Sequence, residues 1–214
     1  VGSEMCIRDR HINSLSTNFS LPESFKVIEF DIFNDSLRKN IIKSSDIVIS
    51  MLPSNLHFIV ANDCVNYNTH LITASYVDEK IKSLSEKAKK NNVIILNEIG
   101  LDPGIDHMSA MQIINNIKEK NGEIISFKSY CGGSIADEYD NNPWKYKFTW
   151  NPKNVINAGK GISKYLLRSK VETIPYNTLF SKIEKVKIHD NKIFESYINR
   201  DSLKYLDIYC LLYT

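Results

Sequence analysis

The sequence of 214 residues is poor in cysteine and contains no long apolar run. Its cysteines, Cys6, Cys64, Cys131 and Cys210, lie far apart and form no CxxC pair. This spacing argues against a zinc ribbon or a disulfide framework, so we expect reduced thiols and a cytoplasmic location. No apolar stretch approaches the roughly 20 residues that a membrane-spanning helix needs.

An excess of charge of one sign is also lacking, because 27 basic and 25 acidic side chains leave a net charge of +2. No basic stripe with interleaved aromatic residues occurs. We therefore expect neither nucleic acid nor a membrane as a partner. The apolar share of 43% is ordinary for a globular core.

The two ends of the sequence do not resemble parts of a folded domain. Residues 1–10 contain no signal-peptide apolar segment, and residues 210–214 stop within an element. Both look like translated adapter sequence, so we predict a non-native leader at 1–10 and a non-native tail at 210–214. The remainder would then be an internal piece of a longer protein.

Short runs rich in valine and isoleucine recur at the spacing of strand–helix units. They lack strict alternation, which is typical of strands buried on both faces of a parallel sheet. The segments between them, 54–69 and 77–92, have the length and apolar spacing of helices. The pattern predicts a partial, doubly wound Rossmann-type α/β sheet over residues 11–99. The predicted strands are KVIEFDI (26–32), DIVISML (46–52), HLITASY (70–76) and NVIILNE (92–98).

Glycine is scarce where a dinucleotide-binding sheet would need it. Such a sheet normally carries GxGxxG after its first strand, and residues 11–26 contain no glycine at all. The first glycine outside the predicted leader is Gly100. Either the fold binds no nucleotide, or its fingerprint belongs to an upstream segment.

The pattern changes after Gly122 and predicts an α+β region over residues 100–209. EIISFKSYCGG (123–133) alternates, which indicates a strand with two unlike faces. Residues 146–152, 171–180 and 182–188 also predict strands. Residues 151–167 predict a helix between them.

The segment NEIGLDPGIDHMSAMQI (97–113) crowds carboxylates and an imidazole around one strand-to-helix turn. Asp102 and Pro103 suit the N-cap and first position of a helix. Glu98, Asp106 and His107 are either solvated first-turn residues or groups that face a ligand. A metal cluster is not favoured, because adjacent residues on a helix point in different directions. In an open α/β sheet, ligands bind beyond the carboxyl ends of the strands, where this turn lies.

Several strings in order resemble the saccharopine dehydrogenase family of the NADP-using, glutamate-forming type. They are SDIVISMLPSNLH, ITASYV, EIGLDPGIDHM, SYCGG, YKFTW and NRDS. LDPGIDH followed by SYCGG and NRDS at these distances is the specific part of the match. The resemblance implies a Rossmann domain with an inserted α+β substrate domain, and it implies that this chain holds part of each.

The resemblance implies an oxidoreductase of lysine metabolism that interconverts saccharopine with L-glutamate and aminoadipate semialdehyde. NADP is the implied cofactor, with NAD left open because the phosphate loop is missing, and the fragment by itself is expected to be inactive. A homodimer is the candidate assembly. Two alternatives are a related imine dehydrogenase, such as a carboxyspermidine type, and a degenerate, non-catalytic binding protein.

The resemblance also implies where a cofactor would bind. Asp31 matches a position near its adenine end, and the following strand ends match positions along the ribose, pyrophosphate and nicotinamide. The implied cofactor contacts are Asp31, Ser50, Met51, Leu52, Thr73, Ala74, Ser75, Gly100, Leu101, Asp102 and Trp150.

The substrate and catalytic positions follow from the same resemblance. Asp102, Tyr76 and Cys131 match catalytic or proton-transfer positions, and Ser75, Tyr76, Asp102 and Arg200 match substrate contacts. Arg200 suits the carboxylates of saccharopine because a guanidinium binds a carboxylate with two hydrogen bonds. Two plainer interpretations stay open: a surface ion pair between Arg200 and Asp201, and a small buried apolar role for Cys131.

Overall fold

The computed structural model describes residues 3–6, 25–133, 135–144, 146–148, 161–188 and 192–211. The chain divides into two compact units, Val1–Ile105 and Asp106–Thr214. Among the described residues, no helix combines the length and the apolar character needed to cross a bilayer.

The first unit alternates strands and helices. Its elements are β1 (Ser3–Cys6), β2 (Phe25–Ile28), α1 (Asp35–Lys43), β3 (Ile47–Ser50), α2 (His57–Asn66), β4 (His70–Thr73), α3 (Glu79–Lys82), α4 (Ser85–Lys90) and β5 (Ile95–Leu96). A 3₁₀ turn, Ser54–Leu56, precedes α2. Strands β3, β4 and β5 form one parallel sheet in that order, and β1 pairs in parallel with β2. The predicted partial Rossmann-type sheet is confirmed.

One strand was not expected. Ser3–Cys6 lies in the predicted non-native leader, yet it pairs residue for residue with Phe25–Ile28. The expectation that residues 1–10 contribute no element is therefore wrong. Parallel pairing needs only backbone donors and acceptors in register, which an unusual composition does not prevent.

Helices α1 and α3 of the first unit begin at side-chain caps. Asn34 Oδ1 accepts the Leu37 amide at 3.1 Å at the start of α1, and Asp78 Oδ1 accepts the Ile81 amide at 2.8 Å at the start of α3. Such caps satisfy backbone donors that have no partner within the helix. The single helix predicted over 77–92 is two short ones, because the backbone breaks where the Ser83 hydroxyl donates to the Lys80 carbonyl.

The core of the first unit lies on one face of the β3–β4–β5 sheet. Leu71 of β4 is fully buried against Ala61 and Val65 of α2. On β3, Ile47 and Ile49 are exposed. The expectation that this strand is buried on both faces does not hold for the described residues, since its continuous apolar run has one uncovered side.

The described residues of the second unit form one long helix, two antiparallel strand pairs and short helical segments. Its elements are α5 (Ile105–Glu119, whose first residue closes the first unit), β6 (Ile162–Leu167), β7 (Lys170–Pro175), β8 (Glu184–Lys187), β9 (Ile193–Ser196) and α6 (Lys204–Ile208). Two 3₁₀ segments, Asp137–Tyr139 and Tyr176–Ser181, lie between them. β6 pairs antiparallel with β7, and β8 pairs antiparallel with β9.

Several strand and helix predictions for this unit are wrong in whole or in part, since residues 146–148 belong to no strand and residues 176–180 lie in a 3₁₀ segment. Residues 162–167 form a strand and not the end of a helix, because Arg168 and Ser169 both take positive φ and turn the chain back tightly. Residues 123–133 alternate in sequence but belong to no strand. Alternation makes a strand only where a second segment offers backbone partners.

Candidate functional site

The carboxyl ends of three neighbouring strands lie side by side in the first unit. Ser50, the last residue of β3, pairs in register with Thr73, the last residue of β4. Beyond β5 the chain continues along β4, with the Ile99 amide donating to the Thr73 carbonyl and the Glu98 amide to the Ser75 carbonyl. The predicted neighbourhood of strand ends is therefore present.

A histidine that the sequence analysis did not select lies at the centre of these ends. His57 is the first residue of α2, and its side chain is buried. Its Nδ1 lies 2.8 Å from Ser50 Oγ, and its Nε2 lies 2.7 Å from Ser75 Oγ. Thr73 Oγ1 lies 3.2 Å from Nε2 and 3.4 Å from Nδ1. One imidazole thus joins the ends of two strands.

The environment of His57 favours the neutral form of the ring. Burial lowers the pKa of His57, and the negative charge of Asp78 offsets this only in part. A neutral imidazole carries one donor and one acceptor nitrogen. If one serine hydroxyl donates to the ring, the other nitrogen of the ring therefore donates to the other serine. The signal available in the sequence was the spacing SMLPSNLH, which puts a histidine at a helix start seven residues after Ser50.

Tyr76 and Asp102 form a polar pair in the same unit. The Tyr76 hydroxyl donates to Asp102 Oδ1 at 2.9 Å, and both side chains are exposed to solvent. A carboxylate that accepts a phenol hydrogen bond is held in one orientation, with its other oxygen available to a ligand. The two residues proposed for catalysis in this unit are therefore direct neighbours.

The turn that carries Asp102 is closed by its own backbone. The Gly100 amide donates to the Pro103 carbonyl, and the Ile105 amide donates to the Gly100 carbonyl, each at 2.9 Å. Gly104 has φ +151°, and a Cβ there would lie 2.1 Å from the Gly100 carbonyl oxygen. Only glycine fits this close approach of two backbone segments, which we call the Gly100–Gly104 crossing.

The prediction that Asp102 caps a helix beginning at Pro103 is wrong. The helix begins at Ile105, the Asp102–Pro103 peptide bond is cis, and the Asp102 carboxylate contacts Tyr76. Gly100 packs closely on Ala74, the residue after β4, since a Cβ at Gly100 would lie 3.0 Å from Ala74 Cβ. The closed turn places Asp102 beside the strand ends.

The other acidic and imidazole groups of this segment have separate roles. Glu98 Oε1 accepts the Val77 amide at 3.2 Å, which ties the segment after β5 to the segment after β4. In the second unit, His107 Nδ1 lies 2.6 Å from the Tyr209 hydroxyl, and its ring packs with Tyr205 and Tyr209. In the described part of the chain, no three histidine, cysteine or acidic side chains are grouped to hold a metal ion.

The remaining residues predicted to contact a cofactor differ in exposure. Asp31 lies in the turn before α1, where its Oδ1 accepts the Phe33 amide at 3.0 Å. Met51 and Leu101 present apolar side chains to solvent, at 80% and 67% exposure. Leu52 packs against the core of the first unit, so its role is structural at least in part.

The residues predicted in the second unit lie apart within it. Cys131 is exposed and belongs to no strand, so it is not a buried apolar side chain. Arg200 is exposed and has φ +52°, and its carbonyl accepts the Lys164 amide at 2.8 Å. Asp201 Oδ2 lies 3.4 Å from Lys164 Nζ, so the recorded ion pair of Asp201 is with that lysine. Trp150 lies outside the described residues.

Comparison with known proteins assigns both parts of the chain. Residues 2–96 match the family model described as the saccharopine dehydrogenase NADP binding domain, and residues 100–214 match the saccharopine dehydrogenase C-terminal domain. This chain belongs to the saccharopine dehydrogenase family. The resemblance drawn from the sequence motifs is confirmed.

The relatives within the family are longer than this chain. The saccharopine dehydrogenase [NADP(+), L-glutamate-forming] of Saccharomyces cerevisiae is 35% identical over 188 residues, which are 88% of this chain and 42% of that protein. An alpha-aminoadipic semialdehyde synthase of Arabidopsis thaliana is 39% identical over 86% of this chain and 18% of its own length. The chain therefore spans less than half the length of these relatives.

A solved structure from the saccharopine dehydrogenase family has the same fold. The apo histidine-tagged saccharopine dehydrogenase (L-Glu forming) from Saccharomyces cerevisiae superposes with a TM-score of 0.80 at 34% identity. The match covers 87% of this chain and 42% of that one.

The described residues fit part of an NADP site. Small and hydroxyl-bearing side chains stand at the carboxyl ends of β3 and β4, where a doubly wound sheet binds ligands. The closed turn brings the Gly100 backbone against Ala74, so that a Cβ at Gly100 would lie 3.0 Å from Ala74 Cβ. A glycine-rich pyrophosphate loop is not among the described residues.

Proposed function

We propose that this chain is part of an NADP-dependent, L-glutamate-forming saccharopine dehydrogenase of lysine metabolism. The observation that carries the proposal is the Tyr76–Asp102 hydrogen bond beside the strand ends that hold Ser50, Thr73 and Ser75. The arrangement presents an oriented carboxylate, a phenol and the partly exposed Ser75 hydroxyl in one unit, which suits an amine substrate.

The residues have distinct roles in the proposed reaction. The substrate's secondary amine is oxidised to an imine, which water hydrolyses to L-glutamate and aminoadipate semialdehyde. NADP supplies the hydride acceptor when it is bound. Asp102 holds the amine and accepts its proton, while Tyr76 keeps the carboxylate oriented through the 2.9 Å hydrogen bond. Cys131 is proposed as a further polar or proton-transfer contact.

The remaining assignments are proposals of the same kind. Asp31, Ser50, Met51, Leu52, Thr73, Ala74, Gly100, Leu101 and Trp150 are proposed to contact the cofactor. Ser75 and Arg200 are proposed to contact the substrate. We also propose domains at 11–99 and 100–209, a homodimeric assembly and a cytoplasmic location. The mouse relative is named a mitochondrial protein, so cell fractionation tests the last of these.

The direct test uses the complete parent protein with saccharopine and NADP. We expect NADPH and L-glutamate to form in equal amounts, and we expect Asp102→Asn to lower kcat at least about a hundredfold by removing the proton acceptor. Turnover only with a polyamine-derived amine such as carboxyspermidine would favour the related imine dehydrogenase. Absence of any turnover would favour the non-catalytic binding protein.

Arg200 gives a second test in the same protein. Charged hydrogen bonds contribute about 1.5–3 kcal/mol, so Arg200→Ala should raise the KM for saccharopine about ten- to a hundredfold. Arg200→Lys should restore this only in part, because a point charge does not reproduce the two-pronged guanidinium. The KM for NADP should stay constant as the internal control. Unchanged saccharopine kinetics in Arg200→Ala would remove the residue from the substrate site.

A further inference from the structure

The hydrogen bonds of His57 are directional, and burial determines their direction. Ser50 is 4% exposed, and within the described residues the partner of its hydroxyl is His57 Nδ1 at 2.8 Å. A buried hydroxyl proton that meets no acceptor costs free energy, so Ser50 must donate to Nδ1. Nδ1 is then the acceptor nitrogen of the ring.

The proton of the neutral ring must consequently lie on Nε2. Nε2–H points at Ser75 Oγ, 2.7 Å away, and donates to it. Thr73 does not decide between the two tautomers, because its Oγ1 lies 3.4 Å from Nδ1 and 3.2 Å from Nε2 and finds a partner in either. The preference rests on Ser50, because its hydroxyl is buried, whereas the partly exposed Ser75 can turn its proton toward solvent.

The tautomer of the His57 ring determines whether the Ser75 hydroxyl donates or accepts a hydrogen bond with a ligand. When Ser75 Oγ accepts from Nε2–H, its own proton cannot point at the ring and turns toward the partly exposed side of the residue. We propose that His57 is a positioning residue, held as the Nε2–H tautomer, which makes Ser75 a hydrogen-bond donor to a carboxylate or carbonyl oxygen of the bound ligand. That the ligand is saccharopine rests on the proposed function, whereas the tautomer does not.

The charge around the ring agrees with this assignment. Burial lowers the pKa of His57, and Asp78 acts in the opposite direction. On α2 itself, the Asp63 carboxylate is paired with Arg38, whose Nε lies 2.8 Å from Asp63 Oδ2. A protonated ring would lose its acceptor and would leave the Ser50 proton without a partner.

The first experiment uses the 214-residue chain without any ligand. Nitrogen NMR shifts distinguish the two tautomers of each of its five histidines, and the signals lost in His57→Gln identify residue 57. We expect a protonated Nε2 and an unprotonated Nδ1 at neutral pH. An Nδ1–H tautomer or an imidazolium at neutral pH would overturn the proposal, whatever the activity of the parent enzyme.

The second experiment uses two variants of the complete parent enzyme, each of which replaces one of the two ring nitrogens of His57 by an amide group. Glutamine at 57 places an amide donor near the Nε2 position, and asparagine places an amide oxygen near the Nδ1 position. We expect His57→Asn to raise the KM for saccharopine about tenfold, as Ser75→Ala should, because both remove the donor. His57→Gln should stay within about threefold of the parent, with the KM for NADP and the melting temperature as controls.

Combining substitutions shows whether His57 acts through Ser75. If it does, the His57→Asn and Ser75→Ala double variant should have the same KM as either single variant. A double variant whose KM increase is the product of the two single increases would contradict the proposal. So would a His57→Gln enzyme with a KM as high as that of His57→Asn. A wild-type enzyme that does not turn over saccharopine would instead contradict the proposed function and leave the NMR result to decide the tautomer.

Discussion

The two compact units of this chain differ in what holds their strands and helices in place. In the first unit, side chains and backbone from distant segments meet in the interior, as at Arg38–Asp63 and at the His57 ring. Among the described residues of the second unit, strands close in sequence pair with each other and the ion pairs lie on the surface, as at Lys128–Glu184. The first unit should therefore be sensitive to single substitutions at positions where the second tolerates them.

Glycines give the largest expected contrast between the units. Gly104→Ala places a methyl group 2.1 Å from the Gly100 carbonyl oxygen at φ +151°, so the closed turn must open, at a cost of more than about 4 kcal/mol of unfolding free energy. Gly132→Ala in the second unit is the matched control, since nothing lies within 4 Å of its Cβ. Urea unfolding of both variants measures the difference. Equal stability would show that the Gly100–Gly104 crossing is not rigid.

Ion pairs give the next contrast. Arg38 is buried, and its side chain bonds Asp63 at 2.8 Å, the Ile32 carbonyl and Asp35. Arg38→Met leaves the Asp63 carboxylate buried without its partner and should cost about 3 kcal/mol. Lys164→Met removes the exposed pair with Asp201 and should cost less than about 1 kcal/mol. Thermal unfolding of both variants measures these losses of stability. Similar losses in Arg38→Met and Lys164→Met would refute the distinction between the units.

The pH dependence of stability should follow His57 in the first unit. Its pKa is lowered from 6.5 by burial, so as the pH falls below about 6.5 the unfolded chain gains a proton that the folded chain does not. Stability is complete above that pH and should fall by at most about 1.4 kcal/mol per pH unit below it. His57→Gln should flatten this slope between about pH 6.5 and 5.5. An unchanged slope would assign the loss to other groups.

Thiol reactivity should differ without any change in stability. Burial raises the pKa of Cys64 to about 12, and the side chain is fully buried in the first unit. Cys131 in the second unit is exposed. A maleimide should therefore label Cys131 in the folded protein and Cys64 only after unfolding, as read by peptide mass spectrometry, with Cys131→Ser as the control. Labelling of Cys64 in the folded state would mean that its unit opens readily.

The same contrast explains what could be predicted from the sequence. The first unit was predictable because Leu71 and its neighbours form apolar runs at βα spacing, which reflects burial. The second was not, because the β6–β7 turn uses Arg168 and Ser169 at positive φ. These residue types give no turn signal of the kind that Asn-Gly gives.

Within the candidate site, strand ends were predictable and side-chain contacts were not. The positions of Ser50 and Thr73 follow from the sheet order. The role of His57 depends on α2 bringing its first residue between two strands, and no local pattern encodes that approach. Asp102 was misassigned because Asp-Pro-Gly fits a helix start, while the Gly100–Gly104 crossing delays the helix to Ile105.

The uncovered side of β3 affects how this chain behaves in solution. Ile47 and Ile49 follow one another on the same face of the strand and are 54% and 67% exposed. Such a stripe favours self-association, and salt does not screen it as it would screen a charged surface. Sulfate should lower the solubility of the isolated chain more steeply than chloride at equal ionic strength, because excluded salts strengthen apolar contacts. Concentrated stocks of this chain are best prepared in low-sulfate buffers.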